Sequence, residues 1–159
     1  MIPARFEESV PPFMPARGLN FLLVDDDDIC LFIHRRVLET TGYCNSAHSA
    51  SNGKTALEIL QHAQAGAMPV PDVILLDLDM PLMNGLAFLE AFKDLECANK
   101  RRIAIVLLTS SVSESDKSYA MSMGVYQCLS KPLTQENLNS VIQSLYNNGS
   151  SPPVMCACR

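Results

Sequence analysis

Five residues, at four distant places in the chain, stand at the ends of short apolar runs and carry groups suited to phosphorus or metal chemistry. Asp25 and Asp26 follow Asn20-Phe21-Leu22-Leu23-Val24, and Asp77 follows Val73-Ile74-Leu75-Leu76. Thr109 closes Ile103-Ala104-Ile105-Val106-Leu107-Leu108, and Lys131 follows Tyr126 to Ser130. A short apolar run that meets a turn signal, as at Pro81, reads as a buried strand. In an open parallel sheet, ligands bind just outside the carboxyl ends of such strands. Taken alone, Asp77 serves equally as a helix cap, a metal ligand or a nucleophile. Taken together, three carboxylates repel one another unless a cation sits between them. Oxygen donors favour a hard divalent ion, Mg2+ by default. Lys131 adds a second positive charge and Thr109 a hydroxyl donor. A phosphoryl group supplies the anion such a set lacks, with three oxygens to share among metal, ammonium and hydroxyl. Carboxylates act as nucleophiles toward phosphoryl groups, and phosphoryl transfer is mostly positioning and charge neutralisation. The residues then divide as Asp77 the acceptor, Asp26 a direct metal ligand, and Asp25 a further holder of the ion. Lys131 pairs with a phosphoryl oxygen, and Thr109 hydrogen-bonds to it.

Helices must fold the chain back between these strands. Ile29, Phe32, Ile33 and Val37 recur at helical spacing and predict the core face of a first helix, capped by Asp27 or Asp28 and stopped by Gly42. Ala56, Ile59, Leu60 and Ala63 predict a second helix between Gly53 and Gly66. Phe88, Ala91, Phe92 and Leu95 predict a third. Tyr119, Ala120 and Met123 share one side of a fourth, capped by Ser113 and ended by Gly124. Leu138, Val141, Ile142 and Leu145 predict a fifth. Residues 43 to 51 show little alternation; a strand is assigned there because the architecture needs one. Five strands alternating with five helices make an α/β chain with a parallel sheet wound on both faces.

The remainder narrows the function classes. The chain has 159 residues, enough for one domain with a sizeable core. A net charge of -5 at pH 7 leaves no basic footprint for nucleic acid. No run approaches the ~20 apolar residues of a membrane span, and with its early charges and prolines the N-terminus does not read as a signal peptide. Residues 1–18 read as an extended or disordered arm and 148–159 as a flexible tail, leaving 19–147 as the domain. Of six cysteines, Cys30, Cys44, Cys97 and Cys128 are scattered through apolar segments, as in a reduced cytoplasmic protein. Cys156 and Cys158 form a C-x-C that reads as tail rather than a soft-metal site. His34, His48 and His62 have no metal-ligand spacing, and His34 lies on a helix already needed for packing. Phe88 and Phe92 read as core.

Four segments carry a family resemblance: Leu22-Leu23-Val24-Asp25-Asp26, Leu75-Leu76-Asp77-Leu78-Asp79-Met80-Pro81-Leu82-Met83-Asn84-Gly85, Leu107-Leu108-Thr109-Ser110-Ser111 and Ser130-Lys131-Pro132. In this order, at these strand ends, they resemble a response-regulator receiver domain, of the single-domain, chemotaxis-regulator-like kind. The resemblance spans about Asn20 to Tyr146. It implies a flavodoxin-like (βα)5 three-layer sandwich with strand order 2-1-3-4-5. It implies phosphorylation of Asp77, with Mg2+, by a sensor histidine kinase or phosphotransfer protein. It further implies the backbone carbonyl of Asp79 as a metal ligand and a Lys131–Pro132 peptide that is often cis. Output is expected through an unidentified partner protein, a phosphorelay step or competition for the kinase, because no room remains after residue 146 for an output domain. The family commonly places Tyr or Phe three residues before the lysine, where this chain has Cys128. A small thiol cannot sweep the volume of a ring, so switching is expected to rest on Thr109, its loop and the fourth helix, with Cys128 in the ring's place. Asp79 and Ser111 flank the site, where the family tunes phosphoryl lifetime.

Two rivals are weighed. A haloacid-dehalogenase-like phosphatase also uses an Asp-x-Asp after a strand, as in Asp77-Leu78-Asp79, but opens with it, whereas here Asp25-Asp26 comes first. A phosphorylation-independent docking receiver is disfavoured because all five site positions are filled.

Overall fold

The computed structural model describes residues 18–95, 103–110 and 113–147. Residues 1–17 of the expected 1–18 arm, the tail over 148–159 with Cys156 and Cys158, and also Cys97 and Ser111, lie outside the described residues. β1 (Leu19–Val24), β3 (Val73–Leu76) and β4 (Ala104–Thr109) are buried along their whole length. Unbroken apolar runs demand this, because helices cover both faces of a central parallel strand. β2 (Cys44–Ala50) and β5 (Gln127–Ser130) are partly exposed and form the edges. All pairings are parallel and the order is β2-β1-β3-β4-β5. With α1 (Asp28–Thr40), α2 (Gly53–Gln64), α3 (Gly85–Asp94), α4 (Glu114–Ser122) and α5 (Gln135–Asn147), the fold is the expected (βα)5 sandwich.

Strand alternation splits the core in two. Leu22, Val24, Ile74, Leu76, Ile105 and Leu107 face α2, α3 and α4, meeting Leu60, Phe88, Phe92 and Ala120. Phe21, Leu23, Leu75 and Val106 face the other way, toward Leu38 of α1 and Leu138, Val141, Ile142 and Leu145 of α5. The helix starts are fixed by the expected caps. Asp27 accepts from the amides of Ile29 and Cys30, and Ser113 from that of Asp116. Gly42, Gly66 and Gly124 take positive φ where α1, α2 and α4 end.

Two helix faces differ from expectation. Ile29, Phe32 and Ile33 are 69%, 64% and 39% exposed, and α1 buries His34 and Leu38 instead. Apolar residues surround most of this helix, so spacing alone did not select a face. Tertiary contacts select it: Leu31, Val37 and Leu38 pack into the core on the sheet side, and Arg35 Nη1 donates to the Ala47 carbonyl of β2 at 2.8 Å. On α4, Tyr119 is exposed while Ala120 is buried, because the Tyr119 hydroxyl leans to α3 and donates to Glu90 Oε1 at 2.6 Å. Among the described residues no helix is long and apolar enough to cross a membrane.

Candidate functional site

Strand register brings the site residues together. Val24 pairs with Leu76 across β1 and β3, so the next residues, Asp25 and Asp77, leave the sheet side by side. The Asp77 amide still donates to the Val24 carbonyl at 2.9 Å, and the Asp25 amide to Ala50 at 3.0 Å. On the other flank Thr109 pairs with Ser130, and the Lys131 amide donates to the Thr109 carbonyl at 2.9 Å. Asp25, Asp77, Thr109 and Lys131 are thus set by backbone hydrogen bonds at strand ends rather than by a free loop.

The Lys131 side chain reaches from β5 to the first and third strands. Its Nζ donates to Asp25 Oδ2 at 2.6 Å and lies 3.5 Å from Asp77 Oδ1. Carboxylate oxygens of Asp25, Asp26 and Asp77 all lie within 4.8 Å of one another. Asp25 and Asp77 are buried, at 2% and 6% exposure, and Asp26 is exposed. Thr109 is buried on the same rim. The Asp27 amide donates to Asp25 Oδ1 at 2.9 Å, fixing that carboxylate. Asp79 is exposed, and its amide hydrogen-bonds to the Asp77 carboxylate. The Lys131–Pro132 peptide is cis, as the family pattern implies.

The electrostatics are unbalanced. Burial pushes the Asp77 carboxyl above its ordinary range; Lys131 opposes this and Asp25 adds to it. Burial works against the Lys131 ammonium, but its hydrogen bond and charge attraction to Asp25, with Asp77 behind, hold its pKa above the usual lysine value. One ammonium faces three carboxylates, two of them buried. An all-oxygen set this tight fits a hard divalent cation, as Mg2+ chemistry requires.

The structure also shows neighbours not anticipated from sequence. Cys30 Sγ lies 4.0 Å from Lys131 Nζ and 3.5 Å from Asp27 Oδ2. The signal was available: Cys30 stands three residues past the cap of α1, which puts it over the same rim. Burial raises its thiol pKa. Gly85 is closer still to Asp77, since a Cβ there would meet the Asp77 carbonyl at 2.6 Å. Cys128 pairs with Leu107, is partly buried against the α2–α4 core, and has its thiol pKa raised by burial. His34 is 2% exposed, and burial lowers its pKa, which suits a packed core histidine.

A profile of the response regulator receiver domain matches residues 21–143. The chain is 30% identical over 134 residues to "Two-component response regulator 24" of Arabidopsis thaliana, covering 84% of this chain and 88% of that protein. It superposes on a two component response regulator from Cytophaga hutchinsonii with a TM-score of 0.74 and 30% identity, covering 82% of this chain and 99% of the other. The Mn(2+)-bound form of response regulator Rcp1 matches with a TM-score of 0.66 and 27% identity, covering 86% and 100% of the two chains.

Proposed function

The chain belongs to the response regulator receiver domain family, and from that premise we propose that Asp77 accepts a phosphoryl group from a phosphohistidine. Receiver domains are signalling modules phosphorylated by histidine kinases or phosphotransfer proteins. An Asp77 carboxylate oxygen attacks phosphorus, the phosphorus–nitrogen bond breaks, and the departing imidazole takes up a proton. The observation that carries this reading is a buried Asp77 with Lys131 Nζ at 3.5 Å and two further carboxylates within 4.8 Å.

The chain's own groups then have distinct tasks. The Val24 and Asp79 backbone contacts orient the Asp77 carboxylate. Lys131 shifts from its Asp25 and Asp77 contacts to a phosphoryl oxygen, and the Thr109 hydroxyl donates to another. Asp25, Asp26, Asp77 and the backbone carbonyl of Asp79 would hold Mg2+, which supplies positive charge opposite the phosphoryl oxygens when bound. A manganese-bound relative fits this donor set, since both ions are hard and divalent.

Switching follows if phosphorylation favours one of two arrangements of the Thr109 loop, α4 and the β5–α5 side. Cys128 is then a passive partner in that change. Output runs through a partner protein at this surface, in a cytoplasmic setting consistent with free thiols at Cys30, Cys44 and Cys128. The exposed Ile29, Phe32 and Ile33 start the helix that leaves the rim, and Leu82, 87% exposed, lies on the acceptor's own loop. Apolar surface beside a phosphoacceptor favours a protein donor over a free small molecule.

Incubation with acetyl phosphate and Mg2+ adds one phosphoryl mass to the chain and none to Asp77→Asn. A mass gain that survives in Asp77→Asn removes the acceptor assignment. Turnover of a chromogenic phosphomonoester would instead favour the haloacid-dehalogenase-like reading.

A further inference from the structure

The connection between β3 and α3 carries both the acceptor and Asp79, yet Asp79 and Leu82 on it are exposed. We propose that Gly53, at the start of α2, is a positioning residue that fixes this connection and thereby the affinity of the site for Mg2+. The inference rests on the metal-holding role given above to the Asp79 carbonyl.

The first amides of a helix have no partner within it. In α2 they are divided between two acceptors. The Asn52 side chain accepts from the Thr55 amide at 2.9 Å, an ordinary cap. The Gly53 amide donates instead to the Met83 carbonyl, 3.0 Å away on the acceptor's loop. The approach is close enough that any side chain at Gly53 must displace Met83. A Cβ at Gly53 would lie 2.8 Å from Met83 Cγ and 3.0 Å from its carbonyl oxygen and Sδ. Space, not backbone conformation, calls for glycine here.

From Met83 the restraint passes along the loop. The Met83 amide donates to Pro81 at 2.7 Å and the Gly85 amide to Leu78 at 2.9 Å. Leu82, the residue that the Met83–Pro81 bond spans, is held at φ 65, a conformation leucine adopts only when its surroundings impose it. The far end cannot yield either, because Gly85 already packs against the Asp77 carbonyl and Leu78. A push on Met83 therefore travels through Pro81 toward Asp79 rather than dissipating.

Gly53→Ala in the full chain tests this. Without metal, the variant melts cooperatively and its amide signals shift from Met83 back to Asp79. Its Mg2+ affinity, by calorimetric titration, falls about tenfold, as for other groups that support metal ligands indirectly. Adding Met83→Ala, which removes Cγ and Sδ, restores most of that loss. In the unsubstituted protein, saturating Mg2+ slows hydrogen exchange of the Gly53 amide by a similar factor, because coupling is reciprocal. That measurement decides the matter even if Gly53→Ala does not fold. Unchanged Gly53 exchange, unchanged Mg2+ affinity in a folded Gly53→Ala, or amide shifts confined to Met83 would each overturn the proposal. An unsubstituted chain that binds no Mg2+ would overturn the function proposed above, while the metal-free amide shifts would still judge the Gly53 coupling.

Discussion

The two ends of the sheet both carry buried polar groups, and they are built on opposite rules. At the amino ends of the strands, Asn20 Oδ1 accepts from Asn45 Nδ2 at 2.9 Å and from Ser46 Oγ at 2.7 Å. The Asn20 amide donates to Asp72 Oδ2 at 2.8 Å, and the Asp72 amide returns a bond to the Asn20 carbonyl at 2.7 Å. These contacts tie β1 to β2 and to the approach of β3 through dipoles and a single partly buried carboxylate. At the carboxyl ends, Asp25, Asp26 and Asp77 crowd around Lys131. Four formal charges there leave a negative excess. A network that closes on itself is structure, whereas one that needs an outside cation and anion is poised to bind.

If that contrast is right, the largest effect comes from removing the single ammonium of the charged end. Lys131→Ala leaves Asp25 and Asp77 facing each other without it, and should cost about 2–4 kcal/mol at pH 7 in chelator, as for one partner of a buried pair. Denaturant titration checks this, and added Mg2+ should recover part of the loss. Asp26→Asn keeps the fold but removes a direct ligand, so Mg2+ affinity by calorimetry should fall by ~100-fold, at or beyond the range for supporting groups.

The opposite end should respond in the reverse manner. Asn20→Ala should lower unfolding stability by about 1–3 kcal/mol, the cost of leaving buried partners unmatched. Mg2+ affinity and phosphoryl uptake by the folded protein should not change. A large drop in Mg2+ affinity there would break the comparison.

Smaller still is the effect of Asp77→Asn without metal. The folded carboxyl has a raised pKa, so the native state holds its proton more tightly than the unfolded chain. Ionisation therefore costs stability, progressively as pH rises past the unfolded value and fully above the folded one. Asp77→Asn should melt a few degrees higher than the unsubstituted chain at pH 7, and the gap should close as pH falls through the acidic range. A gap that widens on acidification would contradict the unbalanced charge. The least effect is expected from Cys128→Ala: phosphoryl uptake and fold persist, and phosphorylation-dependent partner binding changes little. Loss of that binding alone would show that Cys128 transmits the switch.

Much of this was legible in the linear chain. Asp25, Asp26, Asp77, Thr109 and Lys131 stand out because an apolar run cannot continue through a charge or a turn. The run's end therefore marks the strand's end and the functional group together. The faces of α1 and α4 were less legible. Ile29, Phe32 and Ile33 are as apolar as Leu38, which α1 buries, and the rotation is visible only in the packing of Leu31, Val37 and Leu38 and in the Arg35 bond to β2. Cys30 could be placed at the rim by its position three residues past the cap of α1, whereas Gly85 was readable as a sequence feature but not as a neighbour of Asp77.

Local chemistry along the chain thus determined the five helices, every strand but β2, and which charged and hydroxyl groups stand at the strand ends. Tertiary structure alone decided which carboxylates meet, that Lys131 reaches 2.6 Å from Asp25 across three strand positions, and that the Gly53 amide of α2 bonds the Met83 carbonyl on the loop after Asp77. The physical reason is one of range. Strand and cap preferences act over a few residues, whereas charge compensation and close packing depend on distances that exist only once parallel register has joined strands far apart in the chain.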